Sequence, residues 1–219
     1  MRKYGVALGC ILLFAVIMGL SNRPGRSSNG LPVIESDGQY NDSLDLVTRT
    51  SQVGVGKFNT GVELDQSDRE TCLQDAKIFD NMDAYRPDME AGYFTAGLLY
   101  YLGGDSDTAE ARLSQAISDA NLPGNIKTFD DRTKIEAVTG DCHHMLSLIY
   151  FDRHEYEKAL DQANVAIQHF SKREGYYFCR AQAEVQLKKI PEAKSDLVSA
   201  LKINPNYLPA TRLLDFLQH

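Results

Sequence analysis

The chain has 219 residues, 43% of them hydrophobic and 24% charged, with 30 acidic against 23 basic residues and a formal net charge of -7. This is enough apolar content for one buried core in one domain. Residues 1–26 hold four basic residues and no acid, so residues 27–219 carry net -11, which argues against nucleic acid as a partner and against adhesion to anionic lipid.

The first predicted element is the uncharged run Tyr4–Leu20, preceded by Arg2 and Lys3 and followed by Ser21, Asn22, Arg23 and Pro24. Such a run enters a membrane. Its 17 residues span about 26 Å as a helix, close to the ~30 Å hydrocarbon core. Two fates stay open for residues 1–21, a retained transmembrane anchor or a signal peptide cut after Ser21, and the length of the apolar run favours the anchor. Ala7-Leu8-Gly9-Cys10 has the letters of a lipoprotein cleavage box, but the apolar stretch follows the cysteine instead of preceding it. The expected location is a single-pass membrane anchorage or export to the cell envelope.

Residues 22–66 read as a linker and irregular lead-in, flexible over Arg23–Gly30, with a short helix near Ser43–Thr50. Val53-Gly54-Val55-Gly56-Lys57 fails as a phosphate loop because Ser51 stands where the first glycine belongs, and as a dinucleotide fingerprint because Asn59 stands at the third. A capping helix follows over 67–86: Ser67 with Glu70 forms a capping box, and Cys72, Ala76, Phe79 and Met82 mark its inner stripe.

From residue 90 onward a pattern repeats. Residues 90–123 place Tyr93, Gly97 and Tyr100 on a first helix and Ala109, Leu113 and Ala116 on a second. Residues 140–173 place His143, Ser147 and Tyr150, then Ala159, Ala163 and Ala166, with Tyr156 opening the second helix. Residues 174–207 place Tyr177, Ala181 and Glu184, then Ala193, Leu197 and Ala200, and end with Pro205. Two antiparallel helices approach closely only where the contact carries small side chains, here Gly97, Ser147 and Ala181 against Ala109, Ala159 and Ala193. Arg180 and Glu184 stand where a leucine and an aromatic are expected, which predicts a third repeat loosened on one face. Residues 208–219 form a final helix opened by Pro209, with Ala210, Leu213, Leu214 and Leu217 inward and Arg212, Asp215 and Gln218 outward as a solvating cap.

The spacing that carries Ala159 and Ala166 onto Ala193 and Ala200, and the alternation of large, small and aromatic slots, resemble the tetratricopeptide repeat family, whose period is about 34 residues. The resemblance covers residues 67–219 and implies an all-α fold, a right-handed α-solenoid of about three helix-turn-helix repeats with capping helices at both ends, about eight helices in all. The first and second copies are offset by 50 residues, so an insertion within Gly124–Thr139 lengthens the first helix of the second repeat, its start marked by Thr128 and Asp131 as a capping box.

Candidate chemistry is sparse. Asp141-Cys142-His143-His144 offers zinc-binding atoms, but successive helical residues turn by about 100 degrees and do not converge on one ion. Cys72, Cys142 and Cys179 fall at apolar or interhelical positions and read as buried thiols. No catalytic constellation, metal or cofactor is expected. The resemblance implies instead a concave groove on the first helices, lined here by Phe94, Leu98 and Tyr101, by His144, Leu148 and Phe151, and by Phe178, Gln182 and Val185, an apolar set without the family's carboxylate clamp. It implies a non-catalytic interaction module, an adaptor or scaffold, tethered at a membrane through residues 4–20. Occupants of the groove are a segment of another protein, residues 31–66 of the chain itself, or a second copy. An accessory or regulatory subunit of an envelope enzyme or secretion complex is the alternative. A small exported hydrolase using Asp141, His143 or His154 is the third reading.

Overall fold

The computed structural model describes residues 34–60, 62–85, 90–120 and 129–218. Among them every regular element is a helix: α1 Asp37–Thr60, α2 Gln66–Tyr85, α3 Glu90–Gly103, α4 Ser106–Ala120, α5 Phe129–Asp152, α6 Tyr156–His169, α7 Glu174–Gln186, α8 Ile190–Ile203 and α9 Leu208–Gln218. The chain is an all-α repeat protein. Its helices fall into two units, α1–α4 and α5–α9.

In the first unit the expected irregular lead-in is a 24-residue helix, α1. It pairs antiparallel with α2: the Thr50 hydroxyl donates to both oxygens of Asp75 at 2.7 Å, Gly54 lies against Cys72, and Lys57 Nζ donates to Asp68 at 2.5 Å. Glycines inside a helix weaken it, which is why Gly54 and Gly56 read as loop in the sequence. Gly54 has a packing reason, since a Cβ there would stand 2.5 Å from Cys72 Sγ. The amino-terminal cap is therefore a whole hairpin and not a single helix. The start of α2 also differs from the Ser67–Glu70 box: Asp65 and Asp68 each accept the other's backbone N–H, at 3.0 and 2.9 Å, two residues earlier.

The hairpin α3–α4 closes as expected. A Cβ on Gly97 would stand 2.8 Å from Leu113 Cγ and 3.4 Å from the Ala109 carbonyl, so only glycine allows this approach. Asp80 of α2 accepts from the Tyr100 hydroxyl of α3 at 2.8 Å and from Arg112 Nη2 of α4 at 2.9 Å, tying three helices to one carboxylate.

In the second unit α5 runs 24 residues, against 14 in α6 and 13 in α7, as the insertion predicts; its proposed capping residues Thr128 and Asp131 lie outside the described side chains. Ser147 fills its small slot by donating its hydroxyl to the Ala159 carbonyl at 2.8 Å. Ala181, Ala193, Leu197 and Ala200 form one cluster with Phe178, Tyr207 and Ala210. Of the two polar replacements, Glu184 is buried and Arg180 ties its face to the neighbouring helices. Arg180 grips Asp196 of α8 through Nε and Nη2 at 2.5 and 2.6 Å and Asn164 of α6 at 2.9 Å, so one guanidinium joins three helices.

The repeat period reappears in the backbone. The turns after α3, α5 and α7 carry left-handed residues at equivalent places, Gly104 with φ 92°, His154 with φ 63° and Lys188 with φ 61°. Each closes a paired cap: Asp105 and Gly104 donate to Tyr100 and Tyr101, Glu155 and His154 to Tyr150 and Phe151, Lys189 and Lys188 to Glu184 and Val185. The last two turns, at His154 and Lys188, lie one repeat period apart. No helix among the described residues is long and apolar enough to cross a membrane, and the Tyr4–Leu20 run lies outside them.

Candidate functional site

The groove positions divide between the two units. In α3, Phe94 and Leu98 are buried, and Tyr101 is half-buried with its ring edge-on to Phe58 of α1, centroids 5.9 Å apart. Residues 31–66, expected as an occupant of the groove, thus supply a packed helix, with Phe58–Tyr101 as its contact to a groove position. In α5 and α7, His144, Leu148 and Phe178 are buried, while Phe151, Gln182 and Val185 are half-buried. Phe178 sits edge-on to Tyr207 at 5.6 Å inside the terminal cluster, and Val185 packs against that cluster from its rim. Phe94, Leu98, His144, Leu148 and Phe178 are therefore core side chains. The surface at these slots is carried by Tyr101, Phe151, Gln182 and Val185.

Counting by the period shows a residue the sequence reading passed over. Leu148, Gln182 and Phe216 follow one another at exactly one period and occupy one slot of α5, α7 and α9 in turn. Exposure rises along that series from buried Leu148, through half-buried Gln182, to Phe216 at 70%. The expectation of a purely solvating cap places only Arg212, Asp215 and Gln218 outward on α9. Phe216 lies one turn beyond Arg212, about 40° around the helix from it, and away from the buried Ala210. The signal was in the spacing.

The polar residues first considered for chemistry point three ways. Asp141 accepts from the Tyr176 hydroxyl at 2.6 Å and from Arg173 Nη2 at 3.0 Å, both of which follow the α6–α7 turn. His143 turns to α6, with Nδ1 2.7 Å from Gln162 Oε1 and its ring stacked on His169 at 5.6 Å. His144 turns to α7, with Nε2 3.1 Å from Cys179 Sγ. Burial, with Arg173 nearby, pushes the His144 imidazole down to about 3, and burial pushes the Cys179 thiol well up. Both groups are held uncharged, and the thiolate that nucleophilic chemistry needs is the disfavoured form. Cys142, fully buried, is pushed up by the same cause and by Asp141. His154 is exposed in its turn, with Nδ1 2.8 Å from the Tyr156 hydroxyl. These groups brace helices against one another.

Paired helices with small side chains at their contacts, left-handed turns recurring at equivalent places, and slots that return once per period define a tetratricopeptide-like helical-repeat protein. No family model matches the chain, and no curated protein matches it. Among solved structures it is similar to the first TPR domain of human RPAP3, at 22% identity over 60% of this chain and 91% of that one, with a TM-score of 0.49. It is similar to the first TPR of Spaghetti (RPAP3) bound to the HSP90 peptide SRMEEVD, at 22% identity over 59% and 90%, TM-score 0.46. It is also similar to a TPR2AB-domain complex of yeast Sti1, at 17% identity over 83% and 74%, TM-score 0.35. These superpositions are partial, and the class rests on the chain's own hairpins.

Proposed function

We propose that the chain is a non-catalytic interaction module that takes a peptide segment of a partner protein along the slot series of α5, α7 and α9. The observation that carries this reading is the series Leu148, Gln182, Phe216, which is closed by packing at its first member and open at its last. Phe216 supplies a large exposed ring, half-buried Val185 an apolar rim, and half-buried Gln182 an amide with donors and acceptors for a peptide backbone. The slots hold no lysine or asparagine cage for a terminal carboxylate, so the segment is read through its apolar side chains and backbone. Residues 4–20 tether the module at a membrane in this proposal, and residues 22–33 supply the reach.

A peptide-display selection on the full chain in mild detergent tests the reading. Enriched peptides share apolar residues, and Phe216→Glu weakens the best of them by roughly tenfold or more, as expected for loss of an aromatic anchor. Peptides that bind wild type and variant equally, or a selection without a shared pattern, refute the site. Circular dichroism of the variant serves as the folding control.

A further inference from the structure

Local sequence does not hold α1 together. Eight of the ten residues Val47–Gly56 are β-branched, glycine or serine, the types that weaken a helix interior. The helix persists through what it packs against on α2, where Gly54 seals Cys72, a residue only 1% exposed.

The polar link across this seam is short of a proton when it is ionised. Thr50 Oγ1 stands 2.7 Å from each carboxyl oxygen of Asp75, 3.0 Å from the Leu46 carbonyl oxygen and 3.4 Å from that of Val47. These are four acceptors around a hydroxyl with one proton to give. With Asp75 as a carboxylate, that proton is divided between it and the helix carbonyls. With Asp75 as the acid, its own O–H donates to Thr50 Oγ1 and the Thr50 proton goes to Leu46, so each donor has an acceptor. Asp75 is 3% exposed, which makes an incompletely satisfied carboxylate there costly.

The charged groups of the two helices are engaged elsewhere. Lys57 of α1 pairs with Asp68, two turns before Asp75 on α2, and Arg49 of α1 donates to the Asp45 carbonyl. On α2, Arg69 and Asp80 turn to α3, to the Leu102 carbonyl and the Tyr100 hydroxyl. The remaining titratable neighbour is the Cys72 thiol, pushed up to about 11 by burial and then by Asp75.

We propose that α1 is a pH-released strap, docked on α2 through the protonated Asp75 and freed as that acid loses its proton. Release uncovers Cys72 together with Phe79 and Met82, buried residues that share its side of α2, and lifts Phe58 from the ring of Tyr101. The strap is thus an internal cover over one groove position of α3. Burial raises the Asp75 acid from 3.8 up to about 6 in the docked state, against the Thr50 donation. Docking is therefore complete below pH 3.8 and weakens as pH rises through about 6, by up to roughly a hundredfold.

Reaction of Cys72 with dithiodipyridine, which attacks thiols in acid as well as at neutral pH, tests this on the full chain in mild detergent. Mass spectrometry reads each cysteine, and protection is the rate in the urea-unfolded chain over that in the folded chain at the same pH. Wild-type Cys72 loses protection by roughly 30–100-fold between pH 4 and pH 8. Asp75→Asn, which keeps a donor for Thr50 Oγ1 and does not ionise, holds the protection seen at pH 4 up to pH 8, while Cys142 and Cys179 follow the wild type. Thr50→Val removes the acceptor and lowers Cys72 protection by about tenfold at pH 4. Circular dichroism serves as the folding control. Wild-type protection that stays within about threefold from pH 4 to pH 8 overturns the proposal. So does a fall that Asp75→Asn leaves in place, a Thr50→Val protein as protected as wild type at pH 4, or a loss shared equally by Cys72, Cys142 and Cys179, which marks opening of the whole chain.

Discussion

Glu184 occupies a slot where the repeat expects an aromatic ring, and it is only 7% exposed on α7. Burial, then the neighbouring Asp196, push its carboxyl from 4.5 up to about 7, with Arg180 pulling the other way and Glu192 adding to the rise. A folded value raised above the unfolded one means that the folded state prefers the protonated acid. The stabilisation is complete below pH 4.5 and is lost as pH rises through about 7. A shift of this size corresponds to about 3 kcal/mol at full ionisation. Glutamine keeps the shape and removes the charge. Glu184→Gln is therefore expected to gain about 1–3 kcal/mol at pH 8, less than the full amount because Arg180 loses a counter-charge, and to gain nothing at pH 4. For a chain of this length that is a rise of roughly 3–10 °C in Tm. Thermal unfolding of wild type and variant across pH 4 to 8 is the assay. An equal difference at both ends, or a variant less stable at pH 8, refutes the argument that a buried carboxylate is the cause.

Asp75 carries the same logic in the other unit: burial pushes it up to about 6 against the opposing donation from Thr50, so Asp75→Asn slows amide exchange in α1 at pH 8 and has no effect at pH 4. Gly97→Ala, which on an exposed helix would gain about 1 kcal/mol, instead loses about 1–3 kcal/mol in denaturant titration because the new methyl meets Leu113 and the Ala109 carbonyl. Lys188→Gly, at φ 61° in the turn between α7 and α8, raises stability by about 0.5–1 kcal/mol, whereas the same change at Lys189, outside the left-handed region, does not. Deleting residues 1–33 moves the protein from the alkaline-washed membrane pellet to the supernatant if Tyr4–Leu20 is the tether; retention in the pellet refutes it.

The small-residue slots were legible because they follow from a steric requirement that any pair of close helices must meet, and Gly97, Ser147 and Ala181 meet it in register. The long α5 was legible from the offset between the first two copies for the same reason: a period counts residues, and an insertion must go somewhere. α1 was not legible. Its glycines cost helix stability locally, and Gly54 is justified only by Cys72, which belongs to the next helix and meets it across the hairpin. Arg180 and Glu184 likewise read as defects while seen alone. Asp196 and Asn164 turn the first into a three-helix clasp, and burial turns the second into a titrating group.

For the site, the sequence assigned nine side chains, which lie on α3, α5 and α7, but could not say which of them face outward. A position on a helix face is set by the turn of about 100° per residue, which the sequence contains. Whether that face meets solvent depends on what packs over it. Tyr207 over Phe178, and Tyr176 and Cys179 against His144, make core of two expected groove residues. Phe216 stays open because the described residues bring no helix over that face. Period, slot and charge are properties of the order of residues along the chain; exposure is a property of neighbours distant in sequence, and only the tertiary structure decides it.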